Sequence, residues 1–516
     1  MKRRLAAALL SSLTFTALAQ QPAPSNAGDV THSGSAYNLK VTTTIVSLDV
    51  VVTDSKGNPV DGLKKDDFSI IDNKQPQMIR SFEAPESHFF PKDVVINSTA
   101  ELDKKTPAAP VTIIVLDEAN TKFEDEAFAR YSIQKYLKTQ PDHLTQPTEL
   151  VAIDITHFMV LRDYTTSKQE ILNALNHHLA VLPWHLTAGW ESEQFAQSFM
   201  ALEQVAKAVA GHPGHKNMIW IGKGMPTLDL ENMDSVDEET LENAIQTCTN
   251  MLRDSRITLY TVDPAGLAVS DGGEDLDGMD IDADPFGSSV DFNAMAKATG
   301  GVAFFGRNDV DNLIGKSVTD GNNFYTMTYR PGTNDSPNPF RAIHVVVNKP
   351  GLTVTTREGY YVKPANAPPV VETAKQVNDE TGNDLMAASE NQMVYDGLAI
   401  EVKKDDKDPQ KFIIHVPALG VDWQHEADGP ATADISLLVA TFDHKGHLIK
   451  RDAKVVKVHG KAQNSDGTTA PDPSINLATE VDTSKAVRIR FVVRSGTTGK
   501  IGAQNVPCTN GSCTPM

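Results

Sequence analysis

Polar residues close an otherwise apolar run. Val111-Thr-Ile-Ile-Val-Leu-Asp117-Glu-Ala-Asn120-Thr121 ends in a carboxylate, a carboxamide and a hydroxyl, and an acidic helix start follows at Glu124-Asp125-Glu126. Such a tip suits a divalent cation or an anionic ligand. Two other clusters invite metal chemistry and carry less of it. Asp280, Asp282 and Asp284, with Asp291 further on, imitate a calcium loop. Pro285, however, stands where that loop needs Gly, and Asp replaces its terminal Glu. A solvated acidic loop fits the segment better. His177, His178, His185, His212 and His215 are not completed by a Cys or acid into a zinc set. No nucleophile elbow, His-Glu-x-x-His helix, P-loop or dinucleotide fingerprint is present. A hydrolase reading therefore rests on dispersed acids, Asp117, Asp154 and Asp163. Trp184 and Trp190 offer a contact surface, with core packing an equal role for Trp184.

The Val111–Leu116 run is short and β-branched, which reads as a buried parallel strand. Its tip then lies at the carboxyl end of a sheet, where open α/β sheets bind ligands. Further strands are expected at 150–155, 217–221, 257–262 and 302–305, with helices between them. Ser167-x-x-Glu170 and Ser235-x-x-Glu238 are capping boxes, Gly211-His-Pro213 stops a helix, and Asp309 is placed to cap another. Alternation marks strands on both sides of this unit, in 39–84 and 321–363. Each segment is too small to bury a core alone, so the two are expected to pair into one sandwich with 105–320 inserted between them. Residues 364–392 are polar and read as a linker. Residues 393–507 are strand-rich and suggest an immunoglobulin-like sandwich, with 508–516 as a tail.

Composition bounds the function. The chain has 516 residues and a formal net charge of −20, which argues against a general affinity for nucleic acid or anionic membrane. Met1-Lys-Arg-Arg, the apolar stretch Leu5 to Leu18 and Ala17-Leu18-Ala19 have the form of a signal peptide over 1–19. Residues 20–38 form a low-complexity linker. Export to the periplasm, envelope or medium is expected, with no membrane insertion after cleavage. Cys508 and Cys513 sit in a short polar loop suited to a disulfide, while Cys248 falls on the apolar face of a helix.

The 105–320 segment resembles a von Willebrand factor type A (VWFA) domain, and over roughly residues 40–362 the chain more closely resembles the VWFA-related family of secreted acidobacterial proteins. The resemblance is carried by Leu116-Asp-Glu-Ala-Asn-Thr121, Ala208-Val-Ala-Gly-His-Pro-Gly-His-Lys216, Ile257-Thr-Leu-Tyr-Thr-Val-Asp-Pro-Ala-Gly266, Ala298-Thr-Gly-Gly301 and Arg357-Glu-Gly-Tyr-Tyr361. It implies a doubly wound, Rossmann-like α/β domain flanked by β-sandwiches. It also implies Mg²⁺ ligation at the sheet top by Asp117, Thr121 and Thr187. The pattern is eroded, since Ala119 replaces a serine and Lys223 stands at the expected Asp. An ammonium a few ångströms from Mg²⁺ costs on the order of several kcal/mol. The expectation is therefore no cofactor, with Mg²⁺ as the alternative, and Lys223 facing Asp117 in the metal's place while Asn120 and Thr121 complete the shell. The function implied is non-enzymatic, adhesion-type binding of a protein partner outside the cytoplasm. A purely structural envelope component is the other alternative.

Overall fold

The computed structural model describes residues 45–154, 158–180, 191–229, 235–266, 284, 286, 289–332, 339–362, 374–421, 423–424, 431–460, 474–496, 498–509 and 511–515. Residues 1–38, expected as a signal peptide and first linker, lie outside these residues. The protein is a mixed α/β chain with several sheets, one of them largely parallel. Its first strands are β1 (Val46–Thr53), β2 (Phe68–Asp72), β3 (Gln75–Gln77) and β4 (Ile79–Glu83).

The central sheet begins with β5 (Val111–Asp117), buried at every position as a strand covered on both faces must be. Beside it lies parallel β6 (His143–Ile153), and β7 (Phe158–Ser167) closes that edge antiparallel. On the other side β8 (Lys216–Ile221), β10 (Ile257–Val262) and β12 (Ala303–Phe304) follow in parallel. A separate small pair is formed by β9 (Leu228–Asp229) and β11 (Ser289–Val290). The helices are α1 (Thr99–Lys105), α2 (Phe123–Thr139), α3 (Lys168–His177), α4 (Glu191–Ala208), α5 (Ser235–Asp254), α6 (Phe292–Ala298) and α7 (Val310–Asn322).

Period-two alternation sorts the side chains of β5. Ile114 and Leu116 share a core with Ile133 of α2, Leu175 of α3 and Ile314 of α7. Ile113 and Val115 share another with Phe199 and Leu202 of α4 and Cys248 of α5. Ser167 caps α3 by accepting the Glu170 N–H. Asp309 does not cap α7 with its side chain; its carboxylate is held by Arg307 at 2.7 Å.

After α7 come β13 (Tyr325–Tyr329), β14 (Phe340–Val347), β15 (Thr353–Thr355) and β16 (Gly359–Tyr361). β13 lies between β1 and β4, and β14 pairs with β2, giving sheets ordered β15-β1-β13-β4 and β16-β14-β2-β3. Leu48, Phe68, Ile70, Met327 and Ile343 fill the space between them. Strands from both sides of the α/β unit thus build one two-sheet unit. Its joint to the central sheet is Asp49 of β1. That buried carboxylate accepts His215 Nδ1 at 3.0 Å, Arg256 Nη2 at 2.6 Å and Thr326 Oγ1 at 2.8 Å.

Two polar stretches carry more structure than their composition suggests. Ile96 and Leu102, ahead of residue 105, are fully buried in the core on the α4 face, so the α/β unit extends back through α1. The 364–392 stretch, expected as a linker, carries α8 (Ala374–Glu390). Leu385 and Ala388 of α8 are buried, and Arg490 beneath the helix donates to the Ala388 and Met393 carbonyls. That helix lies on a sheet ordered β17-β24-β23-β20-β21, built from β17 (Tyr395–Asp396), β20 (Thr432–Phe442), β21 (Leu448–His459), β23 (Arg488–Ser495) and β24 (Ile501–Thr509). Opposite stands a three-stranded sheet of β18 (Glu401–Lys404), β19 (Lys411–Val416) and β22 (Ile475–Glu480), with Phe412, Ile414, Ile435 and Phe491 between the two. Cys508 of β24 and Cys513 of β25 (Ser512–Cys513) are bonded and buried in this core. Residues 508–509 and 511–515 are therefore part of the unit and not an appended tail, because the β24–β25 hairpin folds the disulfide inward. No helix among the described residues is long and apolar enough to cross a membrane.

Candidate functional site

Asp117 ends β5 pointing to the α4 face, since it continues the Ile113, Val115 series. In the parallel register Val115 pairs with Trp220, so the indole is a diagonal, same-face neighbour of Asp117. Its Nε1–H donates to Asp117 Oδ2 at 3.0 Å. The chain then turns through Gly222 and Gly224, with φ of 152° and 74°. This turn brings the Gly224 N–H onto the same oxygen at 3.0 Å. Both glycines are required there: a Cβ on Gly222 would strike the Asp117 side chain, and one on Gly224 would lie 2.7 Å from the Phe292 ring. From the other side the Asn120 N–H donates to Oδ1 at 3.0 Å. The Asn120 carboxamide spans both carboxylate oxygens at 3.0 Å and reaches Ser198 of α4 at 2.8 Å.

Four donor groups therefore converge on one carboxylate, whose two oxygens offer about four lone-pair positions. Burial pushes the Asp117 carboxyl up from its ordinary range, against the pull of Asn120, Trp220 and Gly224. No cation among the described residues pairs with it. Lys223 is exposed, and its backbone N–H, not its ammonium, meets Thr121 Oγ1 at 3.3 Å. The expected Asp117–Lys223 pair is absent, because the turn at Gly222 aims the peptide inward and the side chain outward. A magnesium ion would have to displace the N–H groups that already fill the Asp117 acceptor positions, so the residues present do not fit it. Thr187 lies outside the described residues, as do His185, Trp184 and Trp190.

Sequence reasoning brought together Asp117, Asn120 and Thr121. It missed Trp220, Gly224 and Ser198. Also missed was Glu118, fully buried behind the tip, which accepts His178 Nε2 at 2.7 Å and lies 3.7 Å from Arg130 Nη1. Of the other candidate acids, Asp163 receives the Thr99 N–H at 3.0 Å and Thr99 Oγ1 at 2.6 Å, anchoring the start of α1. Asp154 is buried at the end of β6. Asp291 caps α6 through the Ala294 N–H, and Asp284 accepts Tyr361 Oη at 2.6 Å, while Asp280 and Asp282 lie outside the described residues. His212 meets the Ala109 carbonyl and His215 meets Asp49. Among the described residues no three His, Cys, Asp or Glu side chains group as a metal set.

No family model matches the chain, and no curated protein matches it. Among solved structures it is similar to manganese-loaded TRAP protein of Plasmodium vivax, at 10% identity and a TM-score of 0.25, covering 50% of this chain and 96% of that one. A pilus adhesin, SpaC from Lactobacillus rhamnosus GG, matches at 9% identity and a TM-score of 0.26, over 86% of this chain and 61% of that one. A calcium-binding mutant of Bacteroides uniformis β-glucuronidase 2 matches at 14% identity and a TM-score of 0.11, over 22% of this chain; the chain spans 13% of that enzyme's length.

Proposed function

We propose that this is an exported, non-enzymatic binding protein of adhesion type, whose α/β unit presents its sheet-top loops to a protein partner without a metal ion. In this reading the α/β unit is a doubly wound VWFA-like domain and the β units are immunoglobulin-like sandwiches. The observation that carries it is the Asp117 carboxylate, whose acceptor positions are filled by Asn120, Trp220 and Gly224. A carboxylate so occupied shapes the loops and takes no part in ligation. What the tip offers a partner is exposed side chain, Phe123 at the start of α2, 65% exposed, and Lys223 in the glycine turn. Exposed aromatic side chains are good anchors for interfaces.

The test is affinity capture of envelope proteins with the mature chain, in EDTA and in millimolar Mg²⁺, beside the variant Phe123→Glu. Equal capture in both buffers, lost in the variant, is expected. Capture that requires Mg²⁺, or turnover of a peptide, ester or glycoside panel, overturns the reading. Equal capture by wild type and variant favours the structural-component alternative.

A further inference from the structure

We infer that β21 is a docking edge for an extended, acidic segment of a partner protein, added as a further strand to the C-terminal sheet. β21 runs twelve residues, Leu448–His459, and is the terminal strand of its sheet. Among the described residues it pairs on one side only, with β20. Its other side therefore presents a row of backbone donors and acceptors, which is what an added strand needs.

The side chains say what kind of strand. Val456 and Val458 pack toward the sandwich core, so Arg451, Ala453, Val455 and Lys457 lie on the opposite face, joined beyond the register shift by Leu448, which pairs with Phe442. On this face apolar and cationic residues are interleaved, and Val455 is 70% exposed. Inward-facing Lys450 and Lys454 add two more cations. Against these the strand holds one acid, Asp452, in a chain whose net charge is −20. Asp452 takes Lys450 at 2.7 Å and Glu390 takes Arg451 at 3.0 Å. Lys454 reaches the Ala478 carbonyl, and neither it nor Lys457 has an ion pair among the described residues.

Lysines alone on an edge would serve to repel other strands. Here exposed Leu448 and Val455 share a face with Arg451 and Lys457, so an incoming strand meets apolar contact and positive charge by turns. A second copy of this chain is the poorer occupant, because antiparallel self-pairing sets cations opposite cations. An acidic strand instead places carboxylates along one face, beside Lys457 or, shifted by one residue, beside Lys454, neither of which has an ion pair among the described residues.

The probe is a fluorescein-labelled, acetylated peptide of six Thr-Glu repeats, read by anisotropy against the full mature chain at low salt. Saturable binding is expected, weaker by about tenfold in the double variant Lys454→Glu/Lys457→Glu. It should be abolished when alternate peptide nitrogens are methylated, which blocks strand pairing and keeps the charge. The methylation arm uses unaltered protein, so it stands even if the variant folds poorly. Three results overturn the proposal: no saturable binding of the peptide, undiminished binding of the methylated peptide, or a dimer of the free chain in sedimentation that the peptide does not dissociate.

Discussion

Replacing Asp117 by Asn tests whether the tip is held together by its own hydrogen bonds. The change is nearly isosteric and removes the charge. One of the two oxygens becomes an NH2 group, which faces N–H donors whichever way it is turned. If the new amide keeps its oxygen toward Trp220 Nε1 and the Gly224 N–H, its NH2 meets Asn120. The Asn120 Oδ1 has no hydrogen-bond partner among the described residues, so a flip of that carboxamide lets it accept from the new amide. The Asn120 backbone N–H then stays unsatisfied, at a cost of about 1–3 kcal/mol. Loss of charge assistance at the Trp220 and Gly224 bonds adds about 1–2 kcal/mol. Relief of the buried charge, whose pKa burial raises, offsets part of this. A net loss of about 2–3 kcal/mol is expected, or roughly 4–12 °C in the melting of a unit of this size. Trp220 fluorescence and differential scanning calorimetry, each with and without millimolar Mg²⁺, are the assays. A variant within about 0.5 kcal/mol of wild type, the spread of ordinary surface changes, would show that the bonds do not carry the tip. A wild type raised several degrees by Mg²⁺ would refute the claim that its acceptor positions are filled.

Asp396 of β17 docks the C-terminal unit on the α/β unit by accepting the Gly211 N–H at 2.8 Å. Burial first, and then Asp103, push its pKa up to about 6, against the Gly211 N–H, Lys216 and His212. A raised carboxyl pKa means that the folded state holds the proton more tightly than the unfolded state. Its stabilisation is complete below about pH 4 and lost as pH rises through 6. Melting monitored between pH 5 and 7 should show the docked form weakening by about 1.4 kcal/mol, with the slope reduced in Asp396→Asn; an unchanged slope would count against this residue. The Cys508–Cys513 bond closes a short loop, so Cys508→Ala/Cys513→Ala should cost the C-terminal unit about 2 kcal/mol in urea unfolding. Alkylation of denatured, unreduced protein should modify Cys248 alone; three modified thiols would contradict the bridge.

The parts of the fold that follow from periodicity were legible in the sequence. β5 is a continuous β-branched run, and its polar terminus reads directly as a sheet tip. The rest of the site was hidden for identifiable reasons. Trp220 stands inside an apolar strand and reads as core, although a buried indole N–H needs an acceptor; that requirement was the available signal. Lys223 was assigned by alignment of motifs, which fixes a position in the chain and not the direction of a side chain. The φ of 152° at Gly222 decides that direction. α8 escaped because its apolar positions are sparse. It is held through Arg490 and through Arg494, whose Nε meets Asp384 at 2.8 Å, contacts that depend on a sheet more than a hundred residues away.

The interleaving of β1 with β13, and of β2 with β14, has a consequence for how the chain is made. Leu48 pairs with Met327 and Ile70 with Val345, so β1 and β4 have no partner, and β2 none but the short β3, until the whole α/β unit has been synthesised. Closing so long a loop from a disordered chain is entropically costly. Once the α/β unit has folded, its two ends are already held near each other and most of that cost is gone. The order of assembly is then set by topology: the middle of the chain folds first, and its flanks zip together on top of it. Until then β1 and β4 are unpaired and β2 keeps one open edge, which makes a chain released before residue 361 a template for aggregation.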